Sequence, residues 1–178
     1  MFEIPTEPWT KQAIDVAVVP FHQRYALTLV DYTSKWVEIR MISHPDTKTV
    51  ITFLIDVFAR EGFPKELVSD NGVQFVSSEM EAFLAGAGIK HKRCSLYHPQ
   101  SNGLIERMNR MFVEAVRGSA ATGVSVDDVV RTMLWAHRNT PNAVTGLLPF
   151  RILRGRKAID HLCPAWLGKY VTHMNMSK

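Results

Sequence analysis

Three carboxylates stand in surroundings that call for an explanation. Asp15 lies inside the apolar run Ala13-Ile14-Asp15-Val16-Ala17-Val18-Val19. Asp70 closes the short apolar stretch Leu67-Val68-Ser69, and the Asn71-Gly72 that follows marks a turn. A carboxylate buried without a partner is unfavourable, so each of these needs a metal, a cation or a hydrogen-bond network. Glu106 comes after a polar segment, residues 95–103, in which Pro99 and Gly103 read as loop and Ser101 or Asn102 as a helix cap. Beyond it Ile105, Met108, Phe112, Ala115 and Val116 recur at helical spacing and make one apolar face. Asn102, Glu106, Arg110 and Arg117 fall on the opposite face. Glu106 is therefore carried on a rigid element just past a loop. Alone, a Glu on a polar helix face reads as solvated and nothing more; Asp15 and Asp70 are what change that reading.

The elements that must position these residues follow from periodicity. Residues 9–19, 24–31 and 35–41 read as three strands, the third alternating Trp36, Glu38 and Arg40 against Val37, Ile39 and Met41. Their short connections make them antiparallel neighbours. Asp31 falls in the second connection and reads as a turn or cap residue. Residues 47–61 form a helix with Val50, Phe53, Leu54, Val57 and Phe58 on one stripe, stopped by Gly62-Phe63-Pro64. Residues 67–69 are a short strand. Residues 77–87 are a helix capped by Ser77 or Ser78, with Glu81 placed for a capping box. Residues 89–95 are a fifth strand. After the Glu106 helix comes another over 125–138, with Asp127 and Asp128 in its first turn, and a short one before Gly155-Arg156. His137 has apolar neighbours and reads as a partly buried, hydrogen-bonded histidine and not as a ligand. Trp36, Phe53, Phe58, Phe75 and Phe112 occupy core positions. The order βββ-α-β-α-β-α is that of a mixed five-stranded sheet, three antiparallel strands and then two added ones, flanked by helices.

On these residues the chain resembles the integrases of retroviruses and long-terminal-repeat retrotransposons. Asp15, Asp70 and Glu106, with 35 residues between the last two, match that family's D,D(35)E triad. The words around them match as well: Val30-Asp31-Tyr32-Thr33-Ser34-Lys35-Trp36, Gly62-Phe63-Pro64, Ser69-Asp70-Asn71-Gly72-Val73-Gln74-Phe75, Tyr97-His98-Pro99-Gln100-Ser101-Asn102-Gly103 and Glu106-Arg107-Met108-Asn109-Arg110. The wording is closest to the gypsy type and its domesticated host derivatives, and Thr145-Gly146-Leu147-Leu148-Pro149-Phe150 resembles the family's tail motif. The likeness spans about residues 9–156. One departure stands beside the triad: where the family often has a short Gly-Pro segment after the first Asp, this chain has Val16-Ala17-Val18-Val19-Pro20.

The resemblance implies a ribonuclease H-like fold, α/β, in which the first and fourth strands lie side by side and bring Asp15 and Asp70 together, with Glu106 supplied from its helix. Clustered carboxylates repel and raise at least one pKa unless a counter-charge is present. Oxygen-only ligands suit Mg2+ or Mn2+. The implied chemistry is in-line displacement at a DNA phosphodiester with two ions about 3.5–4 Å apart. Asp15 bridges both ions, and Asp70 and Glu106 hold one each. Water attacks in 3′-end processing and a freed 3′-hydroxyl in strand transfer. Tyr97, His98, Gln100, Ser101 and Asn102 are the candidate contacts to DNA near the cut end. Arg110 shares the Glu106 face and can meet a phosphate. Lys90, Lys92 and Arg93 read either as a phosphate cluster or as a solvated strand edge protected by lysines. Arg107 reads as a DNA contact or as one half of a salt bridge. A core homodimer through the helices at 47–61 and 125–138 is implied too, with no small-molecule cofactor.

Composition sets the outer bounds. The 178 residues suit one domain with a real core. The division expected is a linker over 1–8, the catalytic core over 9–156 and an extension over 157–178. No apolar run approaches the ~20 residues of a membrane span, and the start lacks the pattern of a signal peptide. Cys94 and Cys163 form no CxxC pair, which points to an intracellular protein; the nucleus is the site of action that the resemblance implies. None of the seven histidines stands in an HxH or Hx3–5H pair with a CxxC, so the family's His2Cys2 zinc domain is expected to lie outside this chain. A net charge of +4 is compatible with nucleic acid without establishing it. Three readings remain open: an integrase core, a related nuclease or cut-and-paste transposase, and a domesticated host protein kept for DNA or protein binding. A small-molecule α/β enzyme finds no Gly-rich phosphate loop to support it.

Overall fold

Strand β1 (Lys11–Val19) is apolar on both faces, and the computed structural model explains why. The structure describes residues 6–19, 23–93, 99–119 and 123–158. β1 is the central strand of a five-stranded sheet ordered β3-β2-β1-β4-β5. On one side it pairs antiparallel with β2 (Arg24–Asp31), which pairs antiparallel with β3 (Val37–Ile42). On the other side it runs parallel to β4 (Glu66–Ser69), which runs parallel to β5 (Lys90–Arg93) at the edge. The mixed sheet and the adjacency of strands one and four are as expected from the sequence.

Alternate residues of β1 feed two cores. Ala13 packs beneath α4 (Pro99–Ser119) and α5 (Val126–Arg138), among Ile105, Met108, Phe112, Val116, Val129 and Met133. Ile14 packs on the other face against α1 (Thr47–Glu61) and α3 (Ser78–Gly86), among Phe53, Leu54, Val57, Phe58, Met80 and Leu84. All five aromatics assigned to the core are buried. Asp46 caps α1, and Gly62, at φ +89°, ends it in a conformation that a side chain disfavours. A short helix, α6 (Pro149–Arg154), closes the described chain.

Several boundaries differ from the sequence reading, each for a local reason. β1 begins at Lys11 because Trp9 stands at φ +65°, with its N–H on Asp31 Oδ1 and its indole N–H on Gly62 O. β3 begins at Val37 because Lys35, at φ +62°, is still inside the turn from β2. A one-turn helix, α2 (Val73–Val76), precedes α3 and is too short for periodicity to reveal. Ser77 is the cap of α3 and accepts from Met80 N–H, so Glu81 stands one position too late for a capping box and pairs with Arg93 instead. α4 begins at Pro99, not after Asn102. Proline is suited to a first helical position, since its φ is already helical and the N–H it lacks would have had no partner. Ser101 and Asn102 are therefore not its caps, and Gly103 lies within the helix. Asp31 is a turn residue as read, but it is also fully buried and accepts hydrogen bonds from Trp9 N–H, Gln12 Nε2, Ser34 N–H and Ser34 Oγ.

Candidate active site

The parallel pairing of β1 with β4 sets the first two carboxylates. Lys11 lies opposite Glu66, Gln12 opposite Leu67 and Ala13 opposite Val68. Continued two residues further, the same register puts Asp70 abreast of Asp15, where β4 has just ended. Asp15 has the same strand parity as Ala13, so it sits on the sheet face covered by α4. One of its oxygens accepts from Val16 N–H at 2.8 Å, and the other from Asn109 Nδ2 at 2.8 Å. Burial is the main reason its carboxyl is pushed up to about 6, and the nearby charges of Asp70 and Glu106 add to that rise. The hydrogen bonds from Val16 and Asn109 oppose it. The three acids assembled from sequence spacing therefore share one electrostatic neighbourhood.

Asp70 is held by its own turn. Its Oδ1 accepts from Gly72 N–H at 2.9 Å, and Ser69 Oγ donates to its carbonyl at 2.8 Å. A Cβ on Gly72 would come within 2.5 Å of Gln74 Nε2 and 3.0 Å of Asp70 Oδ1, so glycine lets the turn close on the carboxylate. Behind it, Ser69 Oγ contacts His91 Nε2 at 2.9 Å, and burial holds the His91 ring below its ordinary pKa. Glu106 is exposed on α4, as are Arg110 and Arg117 on the same helix. The apolar stripe of Ile105, Met108, Phe112 and Val116 anchors that helix to the sheet.

Asn109 is the site residue that sequence reasoning missed. It stands one turn beyond Glu106 and is only 8% exposed. The available signal was a polar residue four positions after Ile105, in the apolar stripe of α4. Tyr97 and His98 lie outside the described residues. The backbone of Gln100, Ser101 and Asn102 forms the first turn of α4 rather than a loop, and their side chains lie outside the description. Lys90, Lys92 and Arg93 form the edge strand itself. Lys92 Nζ stands 2.8 Å from Glu66 and holds that carboxyl below its usual range, Arg93 pairs with Glu81, and Lys90 is exposed. Arg107 makes no ion pair among the described residues. His137 is partly buried, with Nε2 2.8 Å from Lys35 O, which fits its reading as a hydrogen-bonded core histidine.

The donor set suits a hard divalent cation. It consists of oxygen ligands alone, and both the burial that lifts Asp15 and the repulsion that adds to it are offset by such a cation. In this arrangement no three His, Cys, Asp or Glu side chains among the described residues converge tightly enough to hold one ion. The triad is linked through space and not closed on a point.

The mixed five-stranded sheet flanked by helices is of the ribonuclease H-like class. Residues 5–99 match the family described as Integrase core domain, and the chain belongs to that family. The chain is 31% identical over 155 residues to the uncharacterized protein K02A2.6 of Caenorhabditis elegans, covering 86% of this chain and 12% of that one. It is 34% identical over 154 residues to the Gag-Pol polyprotein of feline leukemia virus, covering 85% and 9%. The chain thus spans only a small part of the curated relatives it matches. Among solved structures, the magnesium complex of the HTLV-2 integrase catalytic core domain superposes with a TM-score of 0.70 at 20% identity, covering 83% of this chain and 97% of that one. The simian T-cell lymphotropic virus intasome bound to a PP2A regulatory subunit gives 0.79 at 18% identity, covering 89% and 59%. These likenesses establish the integrase-core fold.

Proposed function

We propose that this chain is the catalytic core of an integrase, a metal-dependent transferase that performs 3′-end processing and strand transfer on DNA. The observation that carries the reading is Asp15, whose carboxyl feels both Asp70 and Glu106 while two hydrogen bonds fix its orientation. Asp15, Asp70 and Glu106 would hold two Mg2+ or Mn2+ ions, with Asp15 shared. Such a pair supplies activation of the attacking oxygen and stabilisation of the leaving oxygen in an in-line displacement. No side chain is the nucleophile. Water, or later a DNA 3′-hydroxyl, forms the new phosphorus–oxygen bond as the old one breaks, and the departing 3′-oxygen is protonated.

The chain's own contribution is placement. Val16 N–H and Asn109 Nδ2 hold the two oxygens of Asp15, the Gly72 turn holds Asp70, and the buried stripe of α4 fixes the position of Glu106. Tyr97, His98, Gln100, Ser101 and Asn102 contact the DNA end near the cut, and Arg110 meets a phosphate from the Glu106 helix. Lys90 keeps a phosphate role at the sheet edge, whereas Lys92 shares its charge with Glu66. The catalytic unit spans residues 9–156 and acts in the nucleus.

A branched DNA that mimics the strand-transfer product tests this reading, with Mn2+ or Mg2+ and beside Asp70→Asn and Glu106→Gln. Metal-dependent resolution of the branch, abolished in both variants, is the expected result. Folded protein that neither resolves the branch nor gains melting temperature with metal would replace the reading with a domesticated binding module.

A further inference from the structure

The end of the described chain carries Arg151, Arg154, Arg156 and Lys157, with no acidic residue between Pro149 and Ala158. Four cations in seven residues is the density found in nucleic-acid-binding patches. The fold sets this segment along an open cleft of about 570 Å³, lined by Trp36, Arg60, Arg138, Phe150, Arg154 and Arg156. Two carboxylates, Glu38 and Glu61, also line it.

Those two acids are already engaged. Arg138 lies 3.0 Å from Glu38, donates to Val37 O at 2.6 Å and stacks 4.0 Å from the Trp36 ring centre. Arg60 reaches Glu38 as well, and Arg154 pairs with Glu61. This inner set ties α1, α5, α6 and β3 into a rigid floor. The surplus charge lies on the rim. Arg156 stacks on Phe150, 5.2 Å from its centre. Arg151, Arg156 and Lys157 are exposed and make no ion pair among the described residues. A rigid floor with a rim of guanidinium forks suits a phosphate-bearing polyanion.

The position separates this surface from the carboxylates. Val37 pairs with Val30, and the neighbouring Asp31 pairs with Gln12 near the start of β1. Asp15 lies further along β1, and Asp70 follows the end of β4. The cleft is thus on the β3 side of the sheet, two strands away from β1 and three from β4.

We propose that α6, the segment after it and the cleft behind them form a second site for the backbone of duplex DNA, away from the reacting phosphodiester. This rests on the reading of the chain as a DNA-acting enzyme. Contacts of this kind carry no sequence information; they fix how a duplex lies on the protein.

The test is fluorescence anisotropy of the full chain with a short blunt duplex of arbitrary sequence, across a salt series and without divalent metal. The variant is Arg151→Gln/Arg156→Gln/Lys157→Gln, its fold checked by circular dichroism and melting temperature. Loss of three phosphate contacts lowers affinity at least about 10-fold at moderate salt and reduces the log–log salt slope by about 2–3. An unaltered affinity and slope in the triple variant, when the unmodified chain binds, overturns this inference alone. Displacement by polyglutamate as effective as by unlabelled DNA also overturns it, in favour of an acidic polypeptide. Failure of the unmodified chain to bind any duplex overturns it together with the DNA reading. Branch resolution is measured separately, so loss of the catalytic reading leaves the binding result interpretable.

Discussion

Asn109 decides how Asp15 points. Its Nδ2 donates to Asp15 Oδ2, while its own Oδ1 is buried without a partner among the described residues. Replacing it with alanine removes the hydrogen bond from a carboxyl already lifted by burial and by two neighbouring acids. Outer partners of metal-binding groups typically matter by about 10–100-fold in affinity or activity. Asn109→Ala is therefore expected to slow branch resolution within that range and to raise the Mn2+ concentration needed for half-maximal rate. Asn109→Asp, which adds a fourth charge at hydrogen-bond distance, shifts the Mn2+ requirement differently from alanine. A rate deficit in both that extra Mn2+ does not relieve would mean that Asn109 serves only the packing of α4. Asp15 and Asp70 drew attention in the sequence because a charge inside or closing an apolar run is conspicuous, whereas Glu106 was singled out only by the D,D(35)E spacing of the family that the chain resembles. Asn109 was not, because an uncharged polar residue within an apolar stripe looks like a tolerated exception until its partner 94 residues away is seen.

The long elements were legible and the joints were not. Helix α1 matches its sequence reading because five apolar residues at helical spacing outweigh local preference. Trp9 and Lys35 misled the strand boundaries because both sit at positive φ and are tied to distant residues, Trp9 N–H to Asp31 and Lys35 O to His137, by bonds that no local pattern records. Lys35 also links α5 to the β2–β3 turn, since its carbonyl meets His137. Burial holds His137 below its ordinary value near 6.5, so the folded protein binds its proton less readily than the unfolded chain. The unfolded chain then binds more protons over the window between the two values, and stability rises with pH there. The contribution is complete above about pH 6.5 and is lost as pH falls toward the depressed folded value. Urea unfolding of the wild type and of His137→Gln over a pH series should show a steeper acid decline in the wild type. Parallel curves would mean that other groups govern the acid limb.

For the whole molecule, two helix faces are candidates to meet a second copy. The HTLV-2 integrase core is described in a dimeric form and in a trimeric form. Our sequence reading put α1 and α5 forward as dimer faces, and the two differ in character. The outer surface of α5 is polar near its start, where Arg131 is paired with Asp128. Along α1, Ile51, Ile55 and Ala59 recur every fourth residue, and Phe63 follows at the same interval just past the helix. Ile55 is 49% exposed and Phe63 62% exposed, while their neighbours at Phe53, Leu54 and Phe58 are fully committed to the core. Two large apolar side chains left in water on one stripe are better explained by a partner than by the fold, which gains little from them. We therefore expect α1 to be the dominant self-association face. Ile55→Glu should move the protein from dimer to monomer in light scattering, with melting temperature nearly unchanged because Ile55 is half exposed; Phe63 is kept because its ring packs 5.5 Å from that of Phe58. The matching change on α5, Arg131→Glu, should leave the oligomer intact. The reverse pattern would transfer the interface to α5. A wild type that is monomeric at every accessible concentration would mean that this core associates only with help from outside it.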